Sequence, residues 1–115
     1  KATARLDAFF HDKDGHWALT NAGPLHPELK HEPSIGTPWL FDFAGQPWQT
    51  QKAVRVVLDT IWMNAPDGIP GNDDLGEMSS WYVWAALGMY PAIPGRAELR
   101  LSSDLCGSSH VAAAT

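Results

Sequence analysis

The sequence predicts an all-α chain, and three observations carry that prediction. Thr50 to Met63 places Val54, Val57, Leu58 and Ile61 on one helical stripe. Asp74 to Met89 is apolar over most of a helical circumference, the mark of a helix buried among others. Strand-like alternation is confined to one short segment, Ala97 to Ser103.

The elements follow in order. Lys1 to His11 reads as a helix, with Leu6, Phe9 and Phe10 at helical spacing behind alanines. Asp14-Gly15 then supplies a turn dipeptide. From Asn21 to Pro38 the glycines and prolines are too dense for a long helix, and the segment reads as a loop. Trp39 to Gly45 is short and apolar and is compatible with a helix or a strand. Thr50 is the expected N-cap of the amphipathic helix. Asn64 to Asn72 is a second turn-rich loop. The next helix is expected to start at Asp74, whose carboxylate with Glu77 three residues on fits a capping box. Leu75, Met78, Tyr82, Ala85, Ala86 and Met89 line its stripe, with Trp81 and Trp84 beside it. The Pro- and Gly-rich connections are longer than those of a minimal helix bundle, and loops of that length tend to carry function.

Composition removes several function classes. The 115 residues suit one small domain, and 44% hydrophobic with 18% charged residues is too apolar for a disordered chain. The net charge is −5, and the eight Lys and Arg are scattered, so no basic stripe awaits nucleic acid. Cys106 is the single cysteine, which rules out an internal disulfide and leaves the redox compartment undetermined. No apolar run is long enough to cross a membrane as a helix. The chain opens on "KATARLDAFF", in mid-helix, without a signal peptide, and is expected to be a fragment of a longer protein. Six tryptophans are many for this length. They suit either core packing or stacking against sugar rings.

Two stretches concentrate carboxylates. In "PGNDDLGEMSSW", Asp73 and Asp74 lie between glycines, with Asn72 before them and Glu77 after. Adjacent carboxylates repel, so one pKa rises, which suits acid/base chemistry or a hard cation; the same residues also suit a plain helix cap. In "HEPSIGTPW", His31 and Glu32 lie in an irregular loop beside Trp39. Glu32 there is either solvated or a ligand for a cation or for sugar hydroxyls. "DKDGHW" resembles the start of a calcium loop but has Gly15 too early and Gly23 at the twelfth position. No HExxH spacing is present, and Ser79 and Ser80 lack a nucleophile turn.

Taken together, "HEPSIGTPWLFDFAGQPWQTQ" and "GNDDLGEMSSWYVWAALGMYPAIPG" resemble the C-terminal part of the catalytic domain of glycoside hydrolase family 92, the exo-acting α-mannosidases. The resemblance covers about residues 1 to 96. It implies part of an (α/α)6 barrel over 1–96, with 97–115 starting a β-region or a divergent tail. It implies Ca²⁺-dependent, inverting hydrolysis of terminal α-linked mannose in glycans, in a parent that also carries a β-sandwich domain and is secreted, periplasmic or at the cell surface. By position in the motif, Asp74 matches the general base, with Asp73 and Asn72 supporting it. Glu32 and His31 match the mannose environment, with Trp39 and Trp48 as aromatic walls, and Glu32 and Asp74 as cation ligands. His31 replaces the Asn of the family's N-E-P, and Asn72 stands where some members carry Asp.

The family's general acid lies in an E-G-N-type motif that this sequence lacks. A barrel of about twelve helices at ~11–12 residues each also exceeds the chain. The piece is therefore expected to be inactive alone. After Ser103 the sequence leaves the family pattern. Two other readings stay open: a non-catalytic carbohydrate-binding remnant, and a structural piece in which Asp74 only caps a helix.

Overall fold

A computed structural model describes residues 1–103 of the chain. It is mainly helical, in the order α1 (Ala2–Phe10), α2 (Glu32–Ile35), a 3-10 turn (Thr37–Trp39), α3 (Leu40–Phe43), α4 (Pro47–Ile61) and α5 (Glu77–Ala86). Two short strands follow, β1 (Met89–Tyr90) and β2 (Arg100–Leu101), paired antiparallel with Met89 opposite Leu101 and Tyr90 opposite Arg100.

α1 buries Phe10 completely. Phe10 packs edge-on against Phe9 and Trp17, and tilted against Phe41 at 5.6 Å. The Asp14-Gly15 turn forms as expected, with Gly15 at φ 81°. It returns the chain so that Ala18 N–H donates to Phe10 O at 2.9 Å. The loop beyond it is tied down at three points. Leu29 N–H donates to Leu19 O at 3.0 Å, Asn21 N–H to Glu28 Oε2 at 2.8 Å, and His26 Nδ1 bonds Phe9 O at 3.0 Å.

Four boundaries differ from the sequence expectation. The stretch 21–38 is not all loop: it contains α2 and most of the 3-10 turn, because Pro33 and Pro38 each occupy the first turn of a helix, where the missing N–H costs nothing. The ambiguous segment at 39–45 is helical in α3 and stops at Gly45, φ 75°. α4 begins at Pro47, so Thr50 is not its N-cap but a fully buried residue of its first turn. α5 begins at Glu77 rather than Asp74, since Asp74, Leu75 and Gly76 have φ of 48°, 60° and 90°, outside the right-handed helix. It ends before Met89 because Gly88, φ 75°, takes the left-handed position that closes a helix.

The core joins Phe10, Leu29, Ile35, Trp39 and Phe41 to the inner stripe of α4 (Ala53, Val54, Val57, Leu58) and of α5 (Met78, Trp81, Ala85). Two aromatic stacks brace it: Trp62 on Trp81 at 4.9 Å, and Tyr90 on Trp39 at 5.0 Å. Ser102 N–H donates to Gly88 O at 2.8 Å, which holds β2 against the end of α5. The stretch after Ser103, where divergence is expected, and Cys106 lie outside the described residues.

Candidate active site

The two carboxylate-bearing stretches, some forty positions apart in sequence, meet in space. The first part of the reason is backbone contact. Gly71 adopts φ +67° so close to Lys30 that a Cβ would stand 2.5 Å from the Lys30 carbonyl oxygen. The second part is a buried hydrogen bond: Trp81 Nε1–H donates to Ile35 O at 2.7 Å. That bond fastens α5, which follows Asp74, to α2, which begins at Glu32.

Asp74 and Glu32 are both exposed, and their carboxyl groups are near enough to act on each other. Its pKa is raised above the usual carboxylate value of 3.8. Loss of hydration where the loops crowd together is the largest cause, followed by the negative charge of Glu32 and then the hydrogen bond between the two. His31 pulls in the opposite direction, and Asp73 adds repulsion. Asp74, Glu32 and His31 therefore form one electrostatic cluster.

Asp73 behaves differently from its neighbour. Its Oδ1 accepts the N–H of Ser79 at 2.8 Å, in the first turn of α5. Its carbonyl accepts the N–H groups of Gly76 at 3.1 Å and Met78 at 3.2 Å. The helix-capping carboxylate is thus Asp73, and Asp74 is released from that task; the capping box expected between Asp74 and Glu77 does not form. Asn72 is exposed beside them.

A groove of about 340 Å³ is lined by Glu32, Pro33, Leu40, Phe43, Glu77 and Tyr90 among others, and Asp74 lies outside that lining. Glu77, read from the sequence as a capping-box partner, lines the groove, and Tyr90 is a groove residue that the sequence reading did not single out. Tyr90 has its pKa raised, first by burial and second by the charge of Glu77. The cue for it was weak: a tyrosine just past the glycine that ends an apolar helix. Of the two tryptophans proposed as walls, Trp39 is 0% exposed and serves as the platform under Tyr90, whereas Trp48 is 59% exposed on the first turn of α4.

Elsewhere, Asp12, Asp14 and His16 bring three potential ligand atoms within 4.8 Å of one another, all on exposed residues. Asp12 Oδ1 accepts the N–H groups of Asp14 and His16 at 2.9 Å each, so its role in closing the turn accounts for the cluster. The backbone N–H of His16 is the chief cause that lowers the Asp12 pKa.

A comparison with protein families matches residues 1–114 to the glycosyl hydrolase family 92 catalytic domain. The chain belongs to this family. Among curated proteins, it is 31% identical over 91 residues to an uncharacterized secreted glycosidase of Arthroderma benhamiae, covering 79% of this chain and 10% of that protein. Its fold is similar to that of a family 92 α-mannosidase from Bacteroides thetaiotaomicron, with 35% identity over 65% of this chain. The TM-score is 0.62 for the structure in complex with mannoimidazole and 0.61 for the structure without that ligand. The chain spans 10% of the length of each of these proteins.

The Asp74–Glu32 pair suits a hard divalent cation in donor chemistry, since two neighbouring carboxylates repel unless a proton or a cation offsets their charge. Two carboxylates supply only part of the six to eight oxygens that calcium takes.

Proposed function

We propose that this chain is part of an exported glycoside hydrolase that releases terminal α-linked mannose from glycans, with Asp74 as the base that activates water. The observation that carries the reading is the nearness of Asp74 to Glu32, itself a groove-lining residue, with the pKa of Asp74 raised. A base tuned upward from the ordinary carboxylate range holds a proton more readily and takes one from water more effectively. Membership of a family with mannosidase members supports the substrate class, and the secreted description of the fungal relative supports export.

In the inverting scheme, water attacks the anomeric carbon from the face opposite the leaving oxygen, and an acid protonates that oxygen. Asp74 takes the water proton. Glu32, close enough to Asp74 to raise its pKa, sits on the base side of the site in this reading, not across the sugar from it. The acid therefore comes from another part of the protein. Glu32 and Asp74 would be ligands of Ca²⁺, which when bound polarises sugar hydroxyls and neutralises the paired charge. His31 and Glu32 would face the mannose, Trp48 would offer an aromatic surface, and Trp39 would act through Tyr90. Asn72 would support the base from the same loop. We place residues 1–96 in an (α/α)6 barrel, a reading supported by the packing of α4 on α5; a β-sandwich domain would accompany it.

The test is turnover of an α-mannoside by the full-length protein, with the anomer of the first-formed product read by NMR. Asp74→Asn should lower kcat at least a hundredfold. Retained turnover in that variant, or retention of configuration, overturns the reading. A protein that binds mannosides and never hydrolyses them would be a carbohydrate-binding relative instead.

A further inference from the structure

We propose that Asp73 is the positioning residue of this site: it clamps the left-handed turn that presents Asp74 to Glu32 and takes no part in the chemistry. The inference rests on the reading of Asp74 as base. Its warrant is the way the turn is held. Asp74 and Leu75 both adopt positive φ, 48° and 60°, a left-handed conformation that is unfavourable for non-glycine residues. Leu75 is fully exposed, so no packing of its side chain holds it there.

What brackets the turn is Asp73. Its carbonyl accepts N–H groups from Gly76 and Met78, and its carboxylate reaches past both to the N–H of Ser79. Three acceptor contacts from one residue tie the start of the turn to the first turn of α5. Asp74 contributes one backbone contact, its carbonyl accepting the Glu77 N–H at 3.2 Å, and its side chain is left to meet Glu32. The two adjacent carboxylates thus diverge, one into the helix mouth and one toward the other loop. A pair that diverges in this way does not share a water. The division of labour assigns chemistry to Asp74 and geometry to Asp73.

The substitution that separates the two roles is Asp73→Asn, because an amide oxygen still accepts the Ser79 N–H but carries no charge. In the full-length protein assayed on an α-mannoside, Asp73→Asn should keep kcat within about threefold of the parent, whereas Asp73→Ala should lower it roughly tenfold to hundredfold with KM little changed. A residue that only stabilised α5 would lower the melting temperature and leave kcat of the folded enzyme untouched, so both are measured. Asp74→Asn runs alongside. If it retains turnover, the base reading fails, whatever Asp73 does. If it loses turnover and Asp73→Asn loses as much, the Asp73 charge takes part in the chemistry and the positioning role is overturned. A wild-type kcat in Asp73→Ala overturns it equally. Should Asp73→Ala fail to fold, the comparison of Asp73→Asn with Asp74→Asn decides alone: near-parental kcat in the first with loss in the second sustains the proposal, and joint loss ends it.

Discussion

Gly71 stands where the two loops touch, and its backbone does what few other residues tolerate. At φ +67° with the Lys30 carbonyl oxygen 2.5 Å from any added Cβ, an alanine is penalised twice, by conformation and by collision with backbone that cannot swing aside. Gly71→Ala should therefore push residues 71–74 away from 30–32. In the full-length protein this should lower kcat on an α-mannoside roughly tenfold or more, with the rest of the fold intact by circular dichroism. Asp42 offers a second residue-scale test, away from the site. Burial raises its pKa above 3.8, and the Thr50 hydroxyl and the Arg100 charge offset part of that rise. The folded state thus holds this proton to higher pH than the unfolded state does. The contribution of Asp42 is fully present below the unfolded pKa, near pH 4, and is lost as pH rises through the folded value. Asp42→Asn should flatten that decline. Opening free energies of α4 amides, from hydrogen exchange corrected for intrinsic rates, should differ between parent and variant at neutral pH more than in acid.

At the scale of elements, the bond from Trp81 to Ile35 connects α5 to α2 and so sets the separation of the two carboxylates. Trp81 is 1% exposed and stacks on Trp62. Trp81→Phe keeps an aromatic ring but leaves the Ile35 carbonyl without its donor, a loss of about 1–3 kcal/mol. The expected result is lower protection of α5 amides together with reduced kcat, while a change at the exposed Val83 on the same helix should do neither. The helices themselves were legible in the sequence because apolar periodicity is a local signal: the stripe of Val54, Val57 and Leu58 points inward as read. Their starts were less legible. Thr50 looks like a cap by residue type, yet Pro47 starts the helix earlier and buries Thr50 inside. Asp74 looks like a cap by spacing, yet the cap is Asp73, because nothing in "DDLG" announces two consecutive non-glycine residues at positive φ. The meeting of Glu32 with Asp74 is a long-range contact without local trace. Both residues were singled out through their motifs, and the contact itself came from the Gly71 approach and the Trp81 bond.

For the whole molecule, the charge geometry decides what this piece can do alone. An inverting glycosidase sets its acid and base roughly 6.5–9.5 Å apart on opposite faces of the sugar. Glu32 is in contact with Asp74, Asp73 is tied to Ser79, and Glu77 sits at the same helix mouth as the base. All three belong to the same loop-and-helix cluster as Asp74. Phe43, Trp48, Met63 and Val83 are also each at least half exposed, an apolar surface open to further packing. It is the kind of surface that packs on the remainder of a larger fold. Accordingly, the 115-residue chain alone should show no turnover of an α-mannoside at enzyme concentrations where the full-length protein hydrolyses it fully. Chelation should lower the full-length activity and added Ca²⁺ restore it, because the repelling Asp74–Glu32 pair then loses and regains its neutralising partner. Turnover by the isolated chain would mean that an acid among its own residues serves Asp74, and Glu77 would be the first to mutate.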